Sequence, residues 1–180
     1  MIAYLPLRRD DFRFDLRPYD FSCVPGLYEA AIESRNEVSP WMPWLHANYG
    51  LEDVTKWTAL AITSWPMQTA YEYVIYDRND GAVTGACGLN NINRKDMVCN
   101  LGYWVRTSKT RLGAATQATL LLKEFGLSVL EFNRVEVVAA EGNAASRGVA
   151  EKAGGIYEGI QRRRMKVGDK IYDAHMYAFV

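Results

Sequence analysis

No stretch of this 180-residue chain approaches the roughly 20 consecutive apolar residues that span a bilayer, so a membrane helix is not expected. Neither sign of charge is in excess. The 21 Lys and Arg balance the 21 Asp and Glu, which removes the electrostatic reason to expect a nucleic-acid or membrane partner. Cysteine is scarce: Cys23, Cys87 and Cys99 are an odd number without a C-x-x-C spacing, and they read as reduced thiols of a cytoplasmic protein. Histidine is scarcer still. His46 and His175 have no clustered carboxylates, so a zinc site is not expected. The opening "MIAYLPLRRDDFRF" lacks the apolar run of a signal peptide and carries acids that a transit peptide avoids. There is no internal repeat, low-complexity tract or linker, and the length suits one domain over 1–180 with a sizeable core.

What is present is a regular alternation of patterns. "FDLRPYD" (Phe14–Asp20) alternates apolar and polar residues as a strand does, and Val24, Leu27, Tyr28 and Ala31 then recur at helical spacing. "SPWMPWLHANYG" interrupts with two prolines and two tryptophans. A second helix follows, with Val54, Trp57, Leu60 and Ala61 predicted on one face. "YEYVIYD" (Tyr71–Asp77) reads as a strand ending in the turn "RNDG", and "AVTGACGLNNI" and "CNLGYWV" read as two more around "NRKD". A helix with Ala115, Ala118, Leu122 and Phe125 on one face comes next. "RVEVVAA" (Arg134–Ala140) reads as a strand buried on both faces. A helix over about 144–153 and strands near 157–161 and 171–179, around "VGDK", complete the order β-αα-βββ-α-β-α-ββ. That order is a mixed sheet of about seven strands with helices on its faces.

Two stretches carry chemistry. "YWVRTSKTRLGAATQA", from Tyr103, is a strand, a basic turn punctuated by small residues, and a helix start. A helix N-terminus offers unpaired N–H groups and partial positive charge, and small residues such as Gly113, Ala114 and Ala115 let a pyrophosphate approach them. Arg106, Lys109 and Arg111 add charge around the turn. The G-K-[S/T] ending of a Walker loop is missing, as are the second and third glycines of a dinucleotide fingerprint. The second stretch, "NAASRGVAEKAGG", begins with the favourable N-cap Asn143. It puts Ser146, Val149, Ala150 and Ala153 on one helix face, with Ser146 in the first turn.

"GYWV…TRLGAATQA" resembles the acetyl-CoA motif of the GCN5-related N-acetyltransferases (GNAT), Q/R-x-x-G-x-G/A, here falling on Thr110 to Ala115. Thr110 stands where Gln or Arg is usual, and Arg111 where close relatives often have Gly. "N-x-x-S-x-x-V-A-E-K-x-G" is similar to the second signature of the RimJ/RimL-like branch, with Gly155 in place of the usual Phe, which removes a core aromatic and is expected to loosen the local packing. The resemblance extends over nearly the whole chain and includes "ESRNEVSPWMPW", Glu158–Gly159 and Arg162. It implies the GNAT fold, an α/β (α+β) arrangement whose central sheet is splayed in the middle. It also implies acetyl-CoA as co-substrate. The backbone of Tyr103, Trp104 and Val105 then binds the pantetheine arm, and Lys109, Arg111, Leu112, Gly113, Ala114, Ala115 and Thr116 form the phosphate turn. Asn143 also contacts the arm, and Ser146 protonates the leaving thiolate.

The resemblance further implies a primary amine as the acceptor. An α-amine, with a pKa near 7.7–8.0, is roughly one-tenth neutral at pH 7, against about one in 2,000 for a lysine near 10.4. A weakly equipped enzyme therefore suits the N-terminal α-amine of a protein or peptide. A small amine is the alternative acceptor, a non-catalytic acyl-CoA-binding module is the alternative of another class, and a homodimer is compatible with either. Glu158 is the best base candidate, ahead of Glu141 and Tyr157. The position of the acidic residue in RimL-like relatives corresponds here to Met165. Trp41 and Trp44, stiffened by Pro40 and Pro43, are expected to wall the acceptor site or to anchor the first helices. Arg162, Arg163, Arg164, Lys166 and Lys170 form a basic hairpin facing only Asp169.

Overall fold

The computed structural model describes residues 5–180. Seven strands form one sheet: β1 (Phe14–Pro18), β2 (Tyr71–Asp77), β3 (Val83–Asn93), β4 (Val98–Val105), β5 (Arg134–Ala140), β6 (Ile156–Val167) and β7 (Lys170–Phe179). Their order is β1-β2-β3-β4-β5-β7-β6. Every neighbouring pair is antiparallel except β4 and β5. The parallel pair is joined through helix α4 (Ala114–Glu124), as a parallel connection requires.

Helices cover both faces. On one, α1 (Val24–Glu33) and α3 (Leu51–Met67) bury Leu27, Ala30, Val54 and Ala61 against Val74, Val83 and Ala86. The short α2 (Arg35–Val38) follows α1 and leads into the Pro/Trp segment, which has no regular structure. On the other face, α4 and α5 (Ala144–Lys152) bury Ala114, Ala118, Leu122 and Ala150 with Phe14, Leu16, Tyr73, Leu89 and Leu101. Helix α3 begins where the Asp53 carboxylate accepts the Gly50 N–H at 2.9 Å. It ends at Gln68, which adopts the left-handed conformation of a C-cap.

Three expectations are corrected. Trp57 and Leu60 do not join the buried stripe of α3; they are exposed and turn to a cavity described below. β5 is buried on one face only, because Arg134, Glu136 and Val138 lie half-exposed where no helix reaches. Gly155 leaves no packing gap: a Cβ there would press on the Ala150 carbonyl and on Phe179 and Tyr177, which already fill the space.

Candidate active site

β4 and β5 pair over only three rungs, Val98–Arg134, Cys99–Val135 and Asn100–Glu136. Beyond Asn100, β4 continues to Val105 bonded to β3 alone, and β5 continues to Ala140 bonded to β7 alone. The middle of the sheet therefore opens into a wedge lined by unpaired backbone N–H and C=O groups. Such edges bind an amide-bearing chain as a strand partner. Tyr103, Trp104 and Val105 form the β4 side of this wedge.

The turn after β4 delivers the start of α4 to the same place. Arg111 (φ 62°) and Gly113 (φ 90°) both adopt left-handed backbone, which coils the chain so that successive N–H groups point outward. The N–H groups from Gly113 through Ala114 and Ala115 to Thr116 have no hydrogen-bond partner among the described residues. Gln117 fixes the helix start by accepting the Phe14 N–H at 3.1 Å. This geometry fits a pyrophosphate. The basic side chains divide. Arg111 is exposed and makes no ion pair among the described residues. Lys109 does not face the turn: its ammonium is held by Asp77 at 2.9 Å and Asp80 at 2.5 Å. Arg106 is likewise spent on Glu33 at 2.5 Å. Lys109 is thus corrected from a phosphate ligand to a brace of the turn.

Across the wedge, Asn143 Oδ1 accepts the Ser146 N–H at 3.1 Å and caps α5. The Ser146 hydroxyl is consequently free of capping duty. Its Oγ lies 3.1 Å from the Tyr103 hydroxyl, which donates to the Ser146 carbonyl at 2.8 Å. Burial pushes the Tyr103 phenol up to about 12, so it stays protonated at neutral pH. The family resemblance implies a backbone role only for Tyr103. Its side chain joins Ser146 in a hydroxyl pair between the two banks of the wedge.

On the α1/α3 side a cavity of about 520 Å³ reaches Gly102, Tyr103 and Trp104. Its walls include Trp44, Tyr49, Trp57 and Leu60. Trp44 packs on Trp104 with ring centroids 5.6 Å apart and on Tyr49 at 5.3 Å, so it walls the cavity. Trp41 is not brought there; it packs against Tyr172 of β7 at 6.1 Å and against Gly142.

Glu158 is not brought to the wedge either. It sits on β6, two strands from β5, and Arg134 grips its carboxylate through both terminal nitrogens, one at 2.7 Å. That pairing lowers its pKa, which unsuits it as a base. Tyr157 is engaged with His175 Nδ1 at 3.1 Å, and Glu141 is exposed beyond the end of β5. Two carboxylates reach the cavity, Asp53 of α3 and Glu72 of β2; Glu72 is the buried one, 7% exposed, with its pKa raised to about 7 by burial. Its only sequence sign is an acid inside the otherwise apolar run "YEYVIY". Among the described residues no three His, Cys, Asp or Glu groups could hold a metal ion, and no helix is long and apolar enough to cross a membrane.

A family model described as an acetyltransferase (GNAT) domain matches residues 13–156. A Bacillus subtilis (strain 168) protein, YdaF, provisionally assigned as a ribosomal N-acetyltransferase, is 32% identical over 101 residues, 56% of this chain and 55% of that protein. The chain thus spans about half the length of this curated relative. Among solved structures, RimL, a ribosomal L7/L12 α-N-protein acetyltransferase in complex with coenzyme A, superposes with a TM-score of 0.86 at 21% identity, covering 97% of each chain. The microcin C7 self-immunity acetyltransferase MccE, in complex with acetyl-CoA and AMP, superposes with a TM-score of 0.86 at 16% identity, covering 94% of this chain and 93% of that one.

Proposed function

Since the chain belongs to the acetyltransferase (GNAT) domain family, we propose that it acts, as one domain over residues 1–180, to transfer the acetyl group of acetyl-CoA to the α-amine of a protein or peptide N-terminus. The observation that carries this reading is the wedge. The parted edges of β4 and β5, the unpaired N–H groups at the start of α4 and the Ser146–Tyr103 hydroxyl pair converge on one slot. Acetyl-CoA supplies an activated acetyl thioester there. The edge of β4 holds the amides of its arm, the turn at Gly113–Thr116 its pyrophosphate, and the free Nδ2 of Asn143 a further carbonyl. A backbone N–H of the β4 edge polarises the thioester carbonyl. Ser146 and Tyr103 stabilise and protonate the departing sulfur. Holding both reactants in register contributes up to roughly 7–11 kcal/mol of the barrier reduction in favourable cases.

The likeness to RimL, a ribosomal L7/L12 α-N-protein acetyltransferase, and to YdaF, provisionally assigned as a ribosomal N-acetyltransferase, favours a protein N-terminus. A small amine is the second reading, favoured by the likeness to MccE and by the aromatic wall of the cavity. Three buried free thiols support a reducing, cytoplasmic setting.

Intact-mass analysis with acetyl-CoA and a panel of peptides and small amines tests the reading. Peptides with N-terminal Ser or Ala are expected to gain one acetyl group. Transfer to small amines alone would favour the second reading, and cofactor binding without transfer to any amine would contradict both. The turn makes a separate prediction. Arg111 pays about 1 kcal/mol or more for its left-handed backbone, a cost that glycine does not bear. Arg111→Gly is therefore expected to keep or improve coenzyme A affinity in a calorimetric titration. A large loss would move the phosphate contact from the backbone to the side chain.

A further inference from the structure

The row of the sheet that ends at the wedge is unusual. Glu72 of β2 pairs with Gly88 of β3, and Gly88 pairs with Gly102 of β4. Next to Gly102 the sheet is open, because the last β4–β5 rung is Asn100–Glu136. Two consecutive glycines carry no side chains, so the row is a bare trough running from Glu72 to the wedge. The rows on either side are filled: Val74, Ala86 and Trp104 lie on one, and Asn90 and Asn100 on the other.

The glycines are needed for this. A Cβ at position 88 would collide with Glu72 Oε2, so the carboxylate lies directly over Gly88. One strand spacing, about 4.8 Å, separates Gly88 from Gly102. A Cβ at Gly102 would lie 3.7 Å from Asn90 Nδ2 and 3.9 Å from Asn100 Nδ2, and Asn100 Nδ2 donates to Asn90 Oδ1 at 2.9 Å. The trough is thus bordered by amides beside the wedge and closed at its far end by a buried carboxylate. All three residues of the row line the same 520 Å³ cavity or, for Gly88, lie beneath it.

We propose that Glu72 is the general base of the acetyl transfer, and that the acceptor amine sits in the Gly88–Gly102 trough between its carboxylate and the wedge. This rests on the transferase reading above. One ammonium proton passes to the Glu72 carboxylate, directly or across one water, and from there to solvent. The freed nitrogen lone pair forms the C–N bond at the thioester carbonyl. As the C–S bond breaks, the second nitrogen proton goes to the sulfur by way of the Ser146–Tyr103 pair. The ammonium thus loses two protons, one to solvent and one to the thiol, and the products balance.

The strength of the base suits one class of acceptor. A carboxylate titrating near 7 is within about one unit of an α-amine and more than three units below a lysine. The base therefore favours α-amines over lysine amines.

Other ionisable groups line the cavity and bear on any pH profile. His46 on the loop and Asp53 and Lys56 on α3 stand at its walls, with Tyr19, Tyr49, Cys87 and Tyr103. Burial pushes Tyr49 and Tyr103 up to about 12 and raises Tyr19 and Cys87 well above their ordinary values, so these four stay neutral. His46 lines the same cavity, so His46→Asn serves as a control.

Glu72→Gln keeps the shape and removes the proton acceptor. It is expected to lower kcat/KM about 10²-fold at pH 7. The acid limb near 7 disappears, only the titration of the peptide amine remains, and the deficit shrinks above pH ~9, where the amine is already neutral. His46→Asn is expected to keep the limb. A deficit equal at every pH, or a limb that persists in Glu72→Gln, would overturn the proposal. A measurement independent of turnover accompanies it. In protein labelled with 13C at glutamate carboxyls, the resonance absent from Glu72→Gln is expected to titrate near 7. It should also move on adding a peptide with a free α-amine but not its N-acetylated form. A resonance that titrates with the ordinary carboxylates, or ignores the free amine, would overturn the assignment even where wild type transfers acetyl to no peptide tried. In that case the transferase reading and the base assignment fail separately.

Discussion

Ser146→Ala lowers the rate of acetyl transfer by ~10²-fold, the scale of a positioned acid, while coenzyme A binding changes little. The structural reason is a division of labour within one residue. The helix cap uses the Ser146 N–H, which survives the substitution, and among the described residues the hydroxyl is hydrogen-bonded to Tyr103 alone. Loss of Oγ therefore leaves the α5 cap intact and removes the acid proposed for the departing sulfur. Because Tyr103 and Ser146 act through one contact, Tyr103→Phe is expected to produce a comparable loss. The double variant should be no slower than the worse single one, as with residues that function as a unit. Single-turnover rates with saturating acetyl-CoA read this directly. Unchanged rates in Ser146→Ala would reduce the hydroxyl to a packing contact, and multiplicative losses would separate the two groups.

Asp77→Ala is expected to cost about 3 kcal/mol of stability, the lower end of the range for breaking a buried ion pair, because the cations it holds reach solvent. Asp77 has no exposed side-chain surface. Its two oxygens accept from Arg13 Nε at 3.0 Å and NH2 at 2.7 Å, from Lys109 Nζ at 2.9 Å and from the Asn79 N–H at 3.1 Å. One carboxylate thus ties β1, the β2–β3 turn and the turn before α4 together. For a chain of this size the melting temperature should fall by roughly 6–12 °C. The Arg13 guanidinium, with Lys109, holds this carboxyl well below the usual aspartate range. A lowered folded pKa means that the contribution is complete above the ordinary Asp value near ~4 and fades as pH falls below it. Urea unfolding of wild type and Asp77→Ala should differ most at neutral pH and converge in acid. A gap independent of pH would point to packing instead of charge. Coenzyme A affinity should also weaken in this variant, since Lys109 braces the phosphate turn.

The parts of the molecule that were legible in the sequence are those written in contiguous residues. Strand alternation at Phe14–Pro18 and helical spacing in α4 are local patterns, and the structure follows them. The turn before α4 and the capped helix at Asn143 are likewise short motifs, formed by their own backbone and an adjacent side chain. Lys109 and Glu158 look unpaired in the sequence for one reason. Each has a free charge in its local sequence, but its partner, Asp77 or Arg134, is more than twenty residues away and meets it only across the folded sheet. The acceptor side was hidden more deeply. Glu72, Gly88 and Gly102 lie on three different strands, and only the antiparallel register makes them a row. No local pattern marks a glycine as the floor of a trough, and an acid inside an apolar strand looks like an exception until its neighbours across the sheet are known.

The central claim, that the wedge delivers an acetyl group to an α-amine, is tested most directly with a single peptide carrying both an N-terminal Ser and an internal Lys. After incubation with the protein and acetyl-CoA, fragment-mass analysis locates the modification. The account predicts one acetyl group on the α-amine and an unmodified lysine; an acetyl group on the lysine alone, or coenzyme A bound with no transfer at all, would contradict it.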